Sequence, residues 1–171
     1  TFAAHEGQAL ARTWPGTRLV AAQEATAQRF RREAPTASRI HLATHAQVDE
    51  RAPMQSALDL FGGPLPLMEV LGLRLTASLV ILSACETGRG HLDSAGSVVS
   101  LNRAFLAAGA RRVVSTLFRV SDLGSALLMK HFFRQLRSNA PAQALRQAQL
   151  HLRQRYPHPA FWAGFRLDGA P

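Results

Sequence analysis

Two side chains in this chain of 171 residues stand where an apolar run stops and chemistry becomes available. Cys85, the single cysteine, follows "LVILSA" and is followed by Glu86, Thr87 and Gly88, while His45 closes "IHLATH". An imidazole beside a thiol favours the thiolate and serves as general base or acid near neutral pH. A lone cysteine is more often a buried, inert thiol, and a histidine at a strand end is often only solvated. Cys85, however, lies at the end of its apolar run rather than inside it. His41 and His45 also spell H-x-x-x-H. On a strand those four steps span roughly 13 Å, too far for one ion. No further His, Cys or carboxylate cluster completes a four-ligand set, so neither a metal nor a cofactor is expected.

Such a pair has to be positioned by a scaffold, and the chain alternates between strand-like and helix-like segments. Helices are expected at 5–13, 23–34, 64–73, 98–110, 121–138 and 140–156. Strands are expected at 17–22, 38–46, 77–84, 111–118 and 160–169. The stretch 46–63 reads as loop with a small strand or hairpin near 55–61, and 86–97 as a polar glycine-containing loop. "ASLVILSA" is nearly continuous in apolar residues, as a parallel strand buried on both faces requires. Leu128, Phe132 and Leu136 give their helix a buried stripe. Alternation of this kind predicts an α/β fold with a mostly parallel sheet between helices. In such sheets reactive groups collect at the carboxyl ends of the strands. Neighbouring strands lie about 4.8 Å apart, so His45 and Cys85 could meet over one crevice.

Composition bounds the remaining readings. The length suits one domain, and 47% hydrophobic residues suffice for a packed core. One cysteine excludes an internal disulfide and any multi-cysteine zinc site, and it suits a reducing, cytoplasmic setting. No apolar run is long enough to span a bilayer, so no membrane partner is expected. The formal charge is +9, carried almost wholly by arginine, with Lys130 the one lysine. These arginines are scattered and not interleaved with an RNA-binding aromatic signature. We read the bias as compositional rather than as a nucleic-acid footprint.

Several motifs agree in order and spacing with one family. "HLATHA", "SALDL", "LSACETG", "LNRAFLAAGARRVVSTLFRVSD", "LMKHFF", "ALRQAQ" and "PAFWAGFRL" resemble the CHAT family of the caspase, separase and gingipain group of cysteine peptidases. The resemblance runs from about Glu24 to Leu167. It implies a caspase-like three-layer sandwich and a peptidase with His45 as catalytic histidine and Cys85 as nucleophile. The oxyanion would be held by the backbone N–H groups of Cys85 and Ala46. Ala46 replaces the glycine usual after the histidine in this group, which would strain the chain only if positive φ were needed.

The resemblance also implies a substrate-binding segment after the strand at 111–118. There Phe118 replaces the family's tryptophan, Asp122 keeps the acid, and Ser115 and Thr116 are candidates to line the pocket. Asp122 would face a basic P1 side chain or merely cap the following helix, while Arg119 would instead attract an acidic residue. Glu86 and Asp93 flank the nucleophile and either orient His45 or substrate, or are solvated loop charges. The family fold begins with a central strand, whereas this sequence starts on a helix-forming segment. A single CHAT domain over 1–171, the C-terminal part of a larger protein and lacking its first strand, is therefore expected. Its expected partners are a protein substrate and a regulatory element, such as tetratricopeptide repeats, upstream or in trans. The competing reading is a catalytically silent CHAT module that scaffolds a partner.

Overall fold

A computed structural model describes residues 2–49, 52–83, 91–92, 98–118 and 120–170. Its helices are α1 (Phe2–Thr13), α2 (Ala27–Glu33), α3 (Leu67–Leu71), α4 (Leu101–Ala107), α5 (Asp122–Gln135) and α6 (Pro141–Arg155). Its strands are β1 (Arg39–Leu42), β2 (Ala46–Gln47), β3 (Ala57–Leu60), β4 (Gly63–Pro66), β5 (Leu79–Leu82), β6 (His91–Leu92), β7 (Val98–Val99), β8 (Arg112–Thr116) and β9 (Phe165–Gly169).

The central sheet has the order β1-β5-β8-β9. β1, β5 and β8 run parallel, and β9 closes the far edge antiparallel to β8. This is the mostly parallel sheet that the alternation predicts. All four residues of β5 are buried, and successive side chains go to opposite faces. Val80 and Leu82 join Ile40, Val113, Val70 and Phe105 in one core, on the side of α3 and α4. Leu79 and Ile81 join Val114, Leu128, Phe132, Ala144 and Leu152 in the other, on the side of α5 and α6. Each such side chain contributes about 1.5–3 kcal/mol by leaving water. α2 seals the first core by setting Phe30 edge-on to Phe105, ring centroids 6.2 Å apart. α1 lies over α5 with Leu10 against the second core. The result is a three-layer sandwich.

Local chemistry explains the element ends. Thr26 caps α2 by accepting from the Arg29 N–H, and Pro35 follows it. Ser121 caps α5 by accepting from the Gly124 N–H at 3.4 Å. Gly109, at φ +112°, lets the chain leave α4 past Leu75; a methyl there would lie 2.5 Å from the Leu75 carbonyl oxygen.

Some expectations need correction. Residues 17–21 form no strand, because no neighbouring strand is hydrogen-bonded to them. The segment 63–66 is not helical but is strand β4, an edge strand of the small sheet β2-β3-β4 that tolerates Pro64 and Pro66. Val98 and Val99 pair with Leu92 and His91 in a two-stranded ribbon, so α4 begins only at Leu101. The final strand starts at Phe165, after a 3-10 turn over Pro159–Phe161.

Candidate active site

The chain leaves β1 after Leu42 because the hairpin β3–β4 captures it. Thr44 Oγ1 donates to the Asp59 carbonyl, the Asp59 N–H donates to the His45 carbonyl at 2.9 Å, and the Gln47 amide donates to the Asp59 carboxylate. His45 is thereby fixed by its backbone just beyond the carboxyl end of β1, with its side chain exposed. His45 and Asp59 form a hydrogen-bonded pair in the antiparallel β2–β3 ladder, and Ala46 lies opposite Leu58 in the next, non-bonded pair. The Ala46 N–H therefore points away from β3. Ala46 does not adopt positive φ; among the described residues only Ala22 does so without being glycine. The replacement of glycine by alanine at this position carries no backbone strain.

β1 and β5 are adjacent and parallel, and their register pairs Arg39 with Leu79 through Leu42 with Leu82, an offset of 40 residues. His45 and Cys85 are separated in sequence by that same offset. Cys85, Glu86, Asp93 and Arg119 lie outside the described residues.

Just upstream of this end of the sheet sits a buried polar cluster with no counterpart in the sequence-based expectations. Glu6 of α1 and His41 of β1 have side chains only 5% and 9% exposed, and Glu6 Oε1 lies 2.8 Å from His41 Nε2. The contact is off the line that a hydrogen bond needs, so neither atom, nor His41 Nδ1, has a hydrogen-bond partner among the described residues. The second carboxylate oxygen accepts from Ser83 Oγ at 3.2 Å. The His41 ring stands edge-on to Phe133 at 5.3 Å. His41 therefore turns into the α1–α5 layer while His45 faces solvent, and the H-x-x-x-H pair does not converge. A signal for this cluster was present: Glu6 is an acid one helical turn from Leu10, on the stripe that α1 buries.

The segment after β8 differs from expectation in part. Ser115 and Thr116 are wholly buried and pair with Arg166 and Phe165 of β9. Among the described residues they are buried core positions of the sheet. Phe118 and its neighbour Leu117 are the exposed apolar residues here. The chain passes close to β9, with the Leu117 N–H donating to the Gly164 carbonyl at 2.8 Å. Ser121 takes the capping role, leaving Asp122 exposed at the first residue of α5, where its charge also suits the helix dipole.

On its other side, β1 has no hydrogen-bonded neighbour among the described residues. A groove of about 540 Å³ runs along that edge, walled by Leu10 of α1 and Trp14 just after it, by Leu19 and Val20, and by Ile40 and Phe133. Ile40 and Leu42 turn their backbone groups to β5, so those of Arg39 and His41 point into the groove. The buried Trp14 Nε1 also has no partner among the described residues.

Comparison with known proteins identifies the architecture. The profile of the CHAT domain family matches residues 1–170. The chain belongs to the CHAT domain family. This CHAT domain is 35% identical over 105 residues to tetratricopeptide repeat protein 28 of Mus musculus and 33% identical over 105 residues to that of Homo sapiens. Each match takes in 60% of this chain and 4% of the relative, so the CHAT domain corresponds to a small part of those proteins. The sandwich of the CHAT domain is the caspase-like one, and the family lies within the caspase-like peptidase superfamily. Among its described residues no helix is long and apolar enough to cross a membrane, and no group of three or more His, Cys, Asp or Glu is arranged as a metal site.

Proposed function

We propose that this CHAT domain is a cytoplasmic cysteine endopeptidase that cleaves a specific partner protein, with His45 as general base and acid and Cys85 as nucleophile. The consideration that supports this reading is that β1 pairs with β5 at an offset of 40 residues, which is also the separation in sequence between His45, just beyond β1, and Cys85, which lies outside the described residues. His45 would take the proton from the Cys85 thiol, and the thiolate would attack the scissile carbonyl carbon. The oxyanion would be received by the Ala46 and Cys85 backbone N–H groups. Collapse would break the C–N bond, with His45 returning its proton to the leaving amine. Water, deprotonated by His45, would then hydrolyse the thioester and restore the thiol. Asp122 would select a basic P1 residue, or Arg119 an acidic one, with Phe118 as the apolar wall beside them.

The test is covalent labelling by a peptidyl acyloxymethyl ketone, comparing the wild type with Cys85→Ala and His45→Ala. Labelling that needs both residues supports the peptidase. Its absence, with the folded domain and candidate partners present, supports the silent scaffold instead.

The open edge of β1 supports a second part of the proposal, that one further strand completes this sheet. The unpaired edge of β1, a groove with apolar and charged walls along it, and an indole N–H without a partner among the described residues together suit an extended segment. We assign that strand to a longer polypeptide of which this domain is the C-terminal part. Tetratricopeptide repeats, which name its relatives, are the regulatory element proposed upstream or in trans. Extending the expressed chain upstream should raise its thermal midpoint, and an extended chain with unchanged stability and an unprotected β1 amide edge in hydrogen exchange would count against it.

A further inference from the structure

The proposed catalytic pair is carried by two strands, and something must hold the ends of those strands in step. We propose that Glu6 of α1 is the positioning residue that does so, an inference that rests on the peptidase reading above. Its two carboxylate oxygens address two different strands. One stands against His41, four residues before His45, and the other accepts from Ser83, two residues before Cys85. No other described side chain is recorded bridging these two strand ends.

Burial gives the contact its force. With side-chain exposures of 5% and 9%, Glu6 and His41 are little screened by water, and polar groups this buried are costly unless partners hold them. The incomplete hydrogen bonding of Glu6 Oε1 and both His41 nitrogens is the kind of exception that calls for a specific role. Phe133 fixes the His41 ring from the α5 side, so a displacement of α1 is passed to β1 and β5 together. Misplacement of reacting groups by about 1 Å can cost a hundredfold in rate, which is the scale on which such a clamp matters.

The experiment measures the rate constant and the saturation constant for labelling of Cys85 by the same peptidyl ketone, in wild type, Glu6→Ala, Glu6→Gln, Ser83→Ala and Leu145→Ala, across pH 5 to 9. Leu145 of α6 is a buried core residue outside the contacts among Glu6, His41 and Ser83, and it reports what general destabilisation does. Glu6→Ala is expected to lower the maximal labelling rate about tenfold or more. The saturation constant and the pH midpoint should stay in place, because on this reading Glu6 is not one of the reacting groups. Glu6→Gln keeps an acceptor for Ser83 and is expected to recover most of the rate; if Glu6→Ala does not fold, Ser83→Ala, which removes the contact to the second strand end, is the decisive variant and should lose rate as Glu6→Ala would. Equal rates in wild type and both Glu6 variants, or a loss no larger than that of Leu145→Ala, would overturn the proposal. If wild type itself shows no labelling at Cys85, the peptidase reading falls and this one falls with it.

Discussion

His131 of α5 and His151 of α6 face each other with ring centroids 3.9 Å apart and planes inclined by 35°. Burial, the charge of His151 and the cations Arg134 and Lys130 hold the His131 imidazole below its ordinary range. A histidine with a depressed folded pKa leaves the unfolded chain holding more protons, so stability falls as pH drops below about 6.5. Thermal midpoints measured from pH 7.5 to pH 5 should decline, and His131→Gln should decline less steeply over the same interval. Parallel slopes for the two proteins would remove His131 as the cause.

Ser121 and Asp122 separate stability from selectivity. Ser121→Ala deletes the cap of α5 and should cost about 1 kcal/mol in urea unfolding, with peptide preference unchanged. Asp122→Asn should cost a few tenths of a kcal/mol at this exposed helix start. If Asp122 receives a basic P1 side chain, it should also lower cleavage of Arg- and Lys-containing peptides about tenfold or more. Unaltered P1 preference in Asp122→Asn would leave Asp122 a helix-start charge.

Asn102 ties α4 to the last strand. It is almost wholly buried and donates from Nδ2 to Asp168 Oδ2 at 2.7 Å, and Asp168 in turn pairs with Arg166. Asn102→Ala should destabilise the domain by about 1–3 kcal/mol by leaving the buried Ser100 hydroxyl without the Asn102 acceptor and Asp168 with one donor fewer. A double-mutant cycle with Asp168→Ala should show coupling, and strict additivity would mean that the two side chains act independently.

Phe105, fully buried between α2 and the sheet, should cost about 3–5 kcal/mol when replaced by alanine. Phe105→Leu should recover much of that. A small loss for Phe105→Ala in chemical denaturation would mean that α2 is not seated as described.

The strands β1, β5 and β8 and the helices α5 and α6 were legible because their side-chain periodicity is dictated by burial within the segment itself. "LVIL" could be little else than a strand covered on both faces. The segment 17–21 was misread because strand propensity needs a hydrogen-bonded neighbour to become a strand, and none pairs with it here. The start of α3 was misplaced because Pro64 and Pro66 suit a helix start and an edge strand equally well. The place of His45 just past a strand end was legible because the apolar run before it stops there. The burial of Ser115 and Thr116 was not legible because hydroxyls near a strand terminus look available until the layers packed on both faces of the sheet are seen. Glu6, His41 and Ser83 escaped because the contact joins Glu6 to a serine 77 residues away, and only tertiary packing puts them together.

The register of β1 on β5 also has a kinetic side. His45 and Cys85 belong to segments that share no local contact, so nothing in a half-made chain brings them together. Pairing of this kind pays its loop-closure entropy first and comes late in folding. A nascent or partly unfolded copy therefore holds the thiol and the imidazole as two ordinary side chains. On the peptidase reading, the strand pairing is its own safety catch, and the domain is inert until it is finished.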